Sequence, residues 1–468
     1  MGKRVLLVST WVRERQAMGN YLSPPMGVYR LQHWLEERHE IDVLDTGLED
    51  PVAFLRNSRP YDVIGFSTTR DHLHDDIALA RFARQRFPEA VLLAGGVEAT
   101  CNYQKLLDLG MVDYIIMGEG EKALEYFLDG AVDVPLSPSA LTKRYRYETV
   151  LNADELARAT DIDFRRLHMD EYWKRNEAVS GGDARIRNCV NLYITSYCPQ
   201  GCRFCSTTHF IRQACPAAAR VITVPARALV RIIHKVMDQI PDTKTVFFHD
   251  DIACHDRENT RNWCRMWQRD GVPVTFVATS RIVHFDGETL DIMQAAGFRK
   301  VAVGVEAYSD SLLEKLRKGQ TTAEIDDFVA RCRAINMPMQ INLMFCQPEA
   351  TIDDIRATAE FGLRILDLGG ENTVSVSPFT RAYAGSWYFQ NWDLIEYRYV
   401  TIPSIHGTRS ETIRMPHRFL PRDPKVRSLM HAIDDALEEE RYFVNLRGKS
   451  HLAVQMSRRL CELALELI

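Results

Sequence analysis

Short apolar runs alternate with amphipathic segments along most of the chain, and their spacing predicts where strands and helices fall. In the first part the runs are Val5–Ser9, Ile41–Asp45, Asp62–Ser67, Ala90–Ala94 and Tyr114–Met117. Helical periodicity lies between them near Met26–Arg38, Asp75–Phe87 and Tyr103–Leu109. Five strands with crossover helices predict a doubly wound, Rossmann-like parallel sheet over residues 1–130. From Asn191 the alternation resumes with Asn191–Ser196, Thr245–His249, Val274–Ala278, Lys300–Val305, Gln340–Phe345 and Thr373–Ser377. Helical patterns separate them near Ala226–Gln239, Asn259–Gln268, Glu288–Ala295, Ser309–Lys318, Thr322–Asn336 and Ile352–Leu368. Six βα units predict a partial (βα)6 barrel over 191–385, with its chemistry at the carboxyl ends of the strands.

The remaining stretches are less regular. Residues 131–190 hold Pro135, Pro138, Gly181 and Gly182 amid many charges, and read as a linker packing partly on both neighbours. Residues 386–468 read as a small, mostly α region, with helical patterns near Val426–Arg441 and His451–Leu467. Aromatic and basic residues crowd the stretch before those helices (Trp392, Tyr397, Arg398, Tyr399, His406, Arg409, Arg414, His417, Arg418). They suit either a substrate lid or packing on the open side of the barrel.

Composition narrows the class. A chain of 468 residues accommodates two or three domains. The net charge of −5 gives no electrostatic reason to expect nucleic acid as a partner. Eleven cysteines in a chain this long do not make a secreted disulfide framework; they fit a reducing cytoplasm, the expected location. The apolar run after Met1 ends too soon for a signal peptide, and no run reaches the ~18 apolar residues of a membrane span.

Three of the cysteines carry the chemistry. Cys198, Cys202 and Cys205 follow an apolar run in the pattern C-x3-C-x2-C and offer three thiolates from one tight loop. A four-iron cluster on three cysteines keeps one iron free of protein ligands, open to chelation by a substrate or cofactor. A structural zinc site would want a fourth ligand; Cys189 and Cys215 are nearby, but neither supplies a paired C-x2-C.

With Phe204 before its last cysteine, this loop resembles the signature of the radical S-adenosylmethionine (radical SAM) superfamily. The resemblance implies a [4Fe–4S] cluster on Cys198, Cys202 and Cys205. Its open iron would hold SAM, and an electron from the cluster would release a 5′-deoxyadenosyl radical. The other strand ends are then candidate SAM contacts. Asp250 and Asp251 close the second strand, where they suit the SAM ammonium group or a helix cap. Ser280 and Arg281 close the third, within reach of the ribose or carboxylate. Glu306 closes the fourth in a G-x-E element, suited to ribose hydroxyls or to a structural ion pair. Leu312-Leu-x-x-Leu316-x-Lys318-Gly319 matches the family's helix and turn and reads mainly as packing. The fifth strand departs from the family's G-x-P-x-E-T pattern, with Cys346 in place of the glycine and Ala350 interposed. Cys346 and Cys254 read as small buried hydrophobes, and His249 and His255 as neighbours of the Asp pair.

The first domain resembles the cobalamin (B12)-binding domain that precedes many radical SAM domains. The carrying elements are Pro25-Met-Gly27, Gly65-Phe-Ser67, Gly95-Gly96-x-Glu98-Ala-Thr100 and Gly118-Glu119-Gly120-Glu121. Ser67, Gly95, Gly96, Glu98, Gly118, Glu119 and Gly120 are the implied cobalamin contacts. The D-x-H-x-x-G motif, source of the histidine lower ligand in B12 mutases, is absent, and position 98 is Glu where relatives often have His. Together the resemblances imply a B12-dependent radical SAM enzyme, a C-methylase acting on a small natural-product or lipid intermediate, with an electron donor such as flavodoxin or ferredoxin. The alternatives are a radical SAM enzyme of the same build that does not methylate, and a non-catalytic iron–sulfur electron carrier or sensor.

Overall fold

The computed structural model describes residues 2–10, 23–130, 144–146, 150–180, 188–214, 220–270, 273–439 and 451–468. The first sheet is built from β1 (Arg4–Ser9), β2 (Glu40–Asp45), β3 (Val63–Ser67), β4 (Val91–Gly95), β5 (Tyr114–Met117) and β6 (Arg144–Arg146). Among the described residues its order is β2-β1-β3-β4-β5-β6, with every pair parallel. The chain steps outward from β1 to β2 and returns past β1 to β3, so the connections diverge between β1 and β3 and open a crevice at the strand ends. The five expected strands are present; β6 is an addition, and its Arg-Tyr-Arg sequence gives no apolar signal.

The second sheet contains β7 (Cys189–Leu192), β8 (Thr245–Phe248), β9 (Thr275–Ser280), β10 (Phe298–Glu306), β11 (Met339–Cys346) and β12 (Thr373–Phe379). They lie in sequential parallel order from β7 to β12, an open partial barrel. Each strand buries one side-chain face under the outer helices. Phe248, Phe276 and Phe298 pack on one another and on Trp263 of the helix Arg257–Asp270. Each ring contributes about 1.5–3 kcal/mol by burial. The opposite face turns inward, and on β9 and just beyond it that face carries Val277, Thr279 and Arg281.

The region read as a linker contains the helices Ala153–Thr160 and Met169–Ser180. A capping box between Asn152 and Glu155 starts the first of them. Leu156, Phe164 and Leu167 join a single apolar cluster with Met26 and Trp34 of the first domain and Ile232 and Ile233 of the barrel. Pro135, Pro138, Gly181 and Gly182 lie outside the described residues.

The C-terminal part has its helices at Pro424–Glu439 and His451–Leu467, close to expectation. It adds an antiparallel hairpin, β13 (Ile395–Ile402) with β14 (Glu411–Phe419). Ile402, Ile413 and Met415 of the hairpin are buried against Leu79 and Phe82 of the first domain. The helix His451–Leu467 packs instead on the barrel: a side chain at Gly362 would come within 2.9 Å of Cys461 Sγ.

Candidate active site

The cysteine loop leaves β7 at the barrel mouth, and the mouth of β8 holds its root in place. Asp250 is fully buried and gathers three donors: the amides of Ile194 and Thr195 and the Thr195 hydroxyl, at 2.8–3.0 Å. Burial pushes its carboxyl up to about 6, and these hydrogen bonds pull the other way. Asp250 therefore spends both oxygens on the backbone that launches the loop. Asp251, its exposed neighbour, keeps its carboxylate at the mouth.

A second wall supports the far side of the loop. The Arg203 amide donates to the Leu316 carbonyl at 3.0 Å, and Gln200 Nε2 donates to the Arg317 carbonyl at 3.2 Å. Arg281 reaches across from the end of β9, donating to Gln200 Oε1 at 2.6 Å and to the carbonyls of Lys318 and Gly319 at 2.5 and 3.0 Å. Ser280 does not share that position. It faces the helix layer, where its hydroxyl meets His284 Nδ1 at 2.7 Å and accepts from the Cys254 amide at 3.3 Å. Strand parity sets this difference: residues 279 and 281 face inward, and 280 faces out.

Glu306 sits at the end of β10 with a left-handed backbone, φ 69°. Its carboxylate folds back over Gly304, where an added Cβ would lie 2.2 Å from Oε1, and meets Lys318 Nζ at 2.8 Å. Lys318 is buried and Glu306 partly so. Lys318 also stands 5.9 Å from the Phe204 ring.

Burial raises the thiols of Cys198 and Cys202, and raises Cys205 up to about 11; the Lys318 and Arg281 charges oppose the rise at Cys198 and Cys202. Three thiols on a half-buried loop flanked by two cations form a donor set suited to a cluster, which binds thiolates and carries net negative charge. Among the described residues no three His, Cys, Asp or Glu side chains crowd close enough to hold a single metal ion. Cys189 opens β7 at the opposite end of the strand from the loop and supplies no fourth ligand; Cys215 lies outside the described residues. Cys254 and Cys346 are buried, as their surroundings in the sequence suggest.

Sequence reasoning missed a clamp on the loop. Arg203 Nη1 donates to Glu349 at 2.8 Å, Tyr388 hydroxyl donates to the same carboxylate at 2.7 Å, and Arg203 stacks 4.3 Å from the Trp387 ring. The only sequence signal was an arginine between two ligands and a glutamate in the β11 motif.

In the first domain the crevice predicted by topology is a cavity of about 250 Å³ over the ends of β1, β3, β4 and β5. Ser67, Gly95, Gly96, Gly118, Glu119 and Gly120 all line it. Glycine is required at two of these places. A side chain at Gly96 (φ 91°) would come within 2.9 Å of the Thr68 carbonyl, and one at Gly118 (φ 73°) within 2.3 Å of Ala214 Cβ. Arg30 pairs with Glu121 at 2.8 Å on the cavity wall, and its Nε is buried without a partner among the described residues. Burial beside Glu121 pushes Glu119 up to about 7. Glu98 stands outside the wall, buried in the first turn of the helix Gly96–Cys101, where Asn102 donates to it at 2.9 Å. An apolar floor, glycine edges and a guanidinium with one unpaired N–H fit a bulky ligand with a polar tail. The cavity also reaches Ser196 and Phe210, so its far wall belongs to the barrel's first loop and the helix that follows it.

A family model for the radical SAM superfamily matches residues 192–362, and one for the B12 binding domain matches residues 19–128. An uncharacterised methyltransferase of Pyrococcus horikoshii is 21% identical over 383 residues, covering 77% of this chain and 78% of that protein. The hopanoid C-3 methylase of Methylococcus capsulatus is 24% identical over 323 residues, covering 65% of this chain and 58% of that protein. Among solved structures, the radical SAM methyltransferase TsrM of Kitasatospora setae, determined with cobalamin and a [4Fe–4S] cluster bound, superposes with a TM-score of 0.62. It is 18% identical, and the match covers 83% of this chain and 74% of that one. The cysteine loop, the strand mouths around it and the glycine-edged cavity thus lie in two recognised modules: the chain carries a radical SAM superfamily domain and, ahead of it, a B12-binding domain.

Proposed function

We propose that this enzyme methylates an unactivated carbon of a small natural-product or lipid intermediate, using SAM and cobalamin together. One observation carries the reading: the cavity of the B12-binding domain is walled on its far side by Ser196 and Phe210, residues that flank the cysteine loop. A substrate carbon between the two modules can then be reached from both. When bound, the cluster supplies the electron that cleaves SAM, and the corrinoid supplies a methyl carrier.

The chain's own residues position these groups. Cys198, Cys202 and Cys205 would hold the cluster, and Asp250 and Arg203 fix the loop that carries them. Asp251 is free at the mouth to meet the SAM ammonium group, while Arg281 and Glu306 bracket the opposite side. Tyr193, Phe247 and His249 stack along the inner face, at 6.0 and 4.7 Å between neighbouring rings, and narrow the room for water near a radical. Glu119 and Arg30 would meet polar groups of the cobalamin in the crevice, and Gly95, Gly96, Gly118 and Gly120 let its bulk approach the backbone. A ferredoxin or flavodoxin is the donor class proposed, and the cytoplasm the compartment, since exposed clusters of this kind need reducing surroundings.

Anaerobic reconstitution with iron, sulfide, cobalamin and SAM tests the reading. The expected result is 5′-deoxyadenosine together with a product heavier by one methylene. Deoxyadenosine with no gain in product mass would select the non-methylating alternative. No SAM cleavage under strong reductant would select the electron-carrier alternative.

A further inference from the structure

The turn Leu316–Gly319 reads from sequence as packing, but its structure gives it another task. It lines the cysteine loop through the carbonyls of Leu316 and Arg317, and through the Lys318 and Gly319 carbonyls held by Arg281. A side chain at Gly319 (φ 64°) would come within 2.6 Å of Gln200 Nε2, so the turn lies directly against the loop. Arg317 (φ 54°) shares the left-handed conformation, and two such residues around Lys318 turn its side chain inward. There the ammonium is buried, 2.8 Å from Glu306 and 5.9 Å from the ring of Phe204, the residue next to Cys205. A buried lysine and a glutamate in left-handed backbone are two costly features placed side by side at a strand mouth, and strain of this kind collects at functional sites.

We propose that Lys318 sets the reduction potential of the cluster held by Cys198, Cys202 and Cys205, and that Glu306 is the counter-charge that tempers it. The inference rests on the cluster assignment above and goes beyond it. Reduction adds one electron from a low-potential donor and makes the cluster one unit more negative, so a nearby cation favours the reduced form and a nearby anion disfavours it. At Cys202 the Lys318 charge is the larger influence and the Glu306 charge opposes it. A ligand hydroxyl or ammonium that engages Glu306 therefore changes the field at the cysteines. Occupancy of the β10 mouth and ease of reduction become linked, and an enzyme built this way accepts its electron more readily once the mouth is filled.

The test is a potentiometric titration of the reconstituted full-length enzyme without SAM, followed by electron paramagnetic resonance. Wild type, Lys318→Met, Lys318→Arg, Glu306→Gln and the Lys318→Met/Glu306→Gln double variant are compared at equal iron content. At the wild-type midpoint, Lys318→Met should show less than half of its cluster reduced and Glu306→Gln more than half. Lys318→Arg and the double variant should return toward wild type. A purely structural pair would move both single variants in one direction, or neither, and either result overturns the proposal. If Lys318→Met does not fold, an unchanged potential in Glu306→Gln overturns it alone. Failure of the wild type to take up a reducible cluster would instead sink the cluster assignment.

Discussion

At the scale of single residues, the Asp250–Asp251 pair divides its labour. Adjacent in sequence and identical in type, the two differ in burial and in partners, so their losses should differ in kind. Asp250→Asn puts an amide NH2 against backbone N–H groups that both carboxylate oxygens now satisfy. A buried donor left without an acceptor costs about 1–3 kcal/mol, so this variant should melt earlier and retain less iron after desalting. Asp251→Asn, on an exposed side chain, should leave stability within about 0.5 kcal/mol and weaken SAM binding instead. Calorimetry and equilibrium dialysis with SAM separate the two; equal loss of stability in both variants would refute the division.

At the scale of elements, strands were legible and faces were not. Apolar runs identified all six barrel strands and five of the first sheet, because a strand covered by helices needs β-prone apolar residues whatever its neighbours do. Tyr114–Met117 and the helix Ala226–Gln239 fall where the pattern puts them. Ser280 shows the limit: residues at a strand mouth alternate in direction, and its sharing a face with buried Phe276 and Ala278 was legible only once the outer layer was known. The helix Gly96–Cys101 was hidden because its glycine start reads as a turn. The hairpin was hidden because β13 exposes Tyr397, Arg398 and Tyr399 and so lacks an apolar run.

Gly118 joins two elements from different domains, β5 and the helix Thr207–Ala214. Gly118→Ala meets Ala214 Cβ and carries a left-handed backbone, at about 1–2 kcal/mol for the conformation and about 1–3 kcal/mol for overpacking. Cobalamin retention should fall with stability. Adding Ala214→Gly should recover the packing part and leave the backbone part. No recovery in the double variant would mean that the two elements do not touch as described.

At the scale of the whole molecule, the C-terminal hairpin closes a circuit that the domain pattern alone leaves open. The chain runs from the B12-binding domain to the barrel, and the hairpin then returns from the barrel to the first domain. Arg70 donates to the His417 carbonyl at 2.8 Å, Lys105 to the Arg414 carbonyl at 2.9 Å, and Arg81 pairs with Glu411 at 2.6 Å. Phe379, at the end of the last barrel strand, packs 5.4 Å from His417. β14 therefore touches both modules near their mouths, and the distance between the modules depends on it. If the reaction needs a substrate carbon held between them, loosening the hairpin should uncouple two steps that normally run together. Ile413→Ala/Met415→Ala removes two buried side chains from the contact with the first domain, at about 2–5 kcal/mol each. Neither residue lies in the barrel or in the crevice, so iron content and cobalamin binding should persist. SAM cleavage should also continue, while methylated product falls and the ratio of deoxyadenosine to product rises several-fold. Limited proteolysis should show faster cutting between β13 and β14 in the same variant. A proportional loss of deoxyadenosine and product would mean that the hairpin serves stability alone, and that the spacing of the two modules is set by the shared core around Leu156 and Phe164.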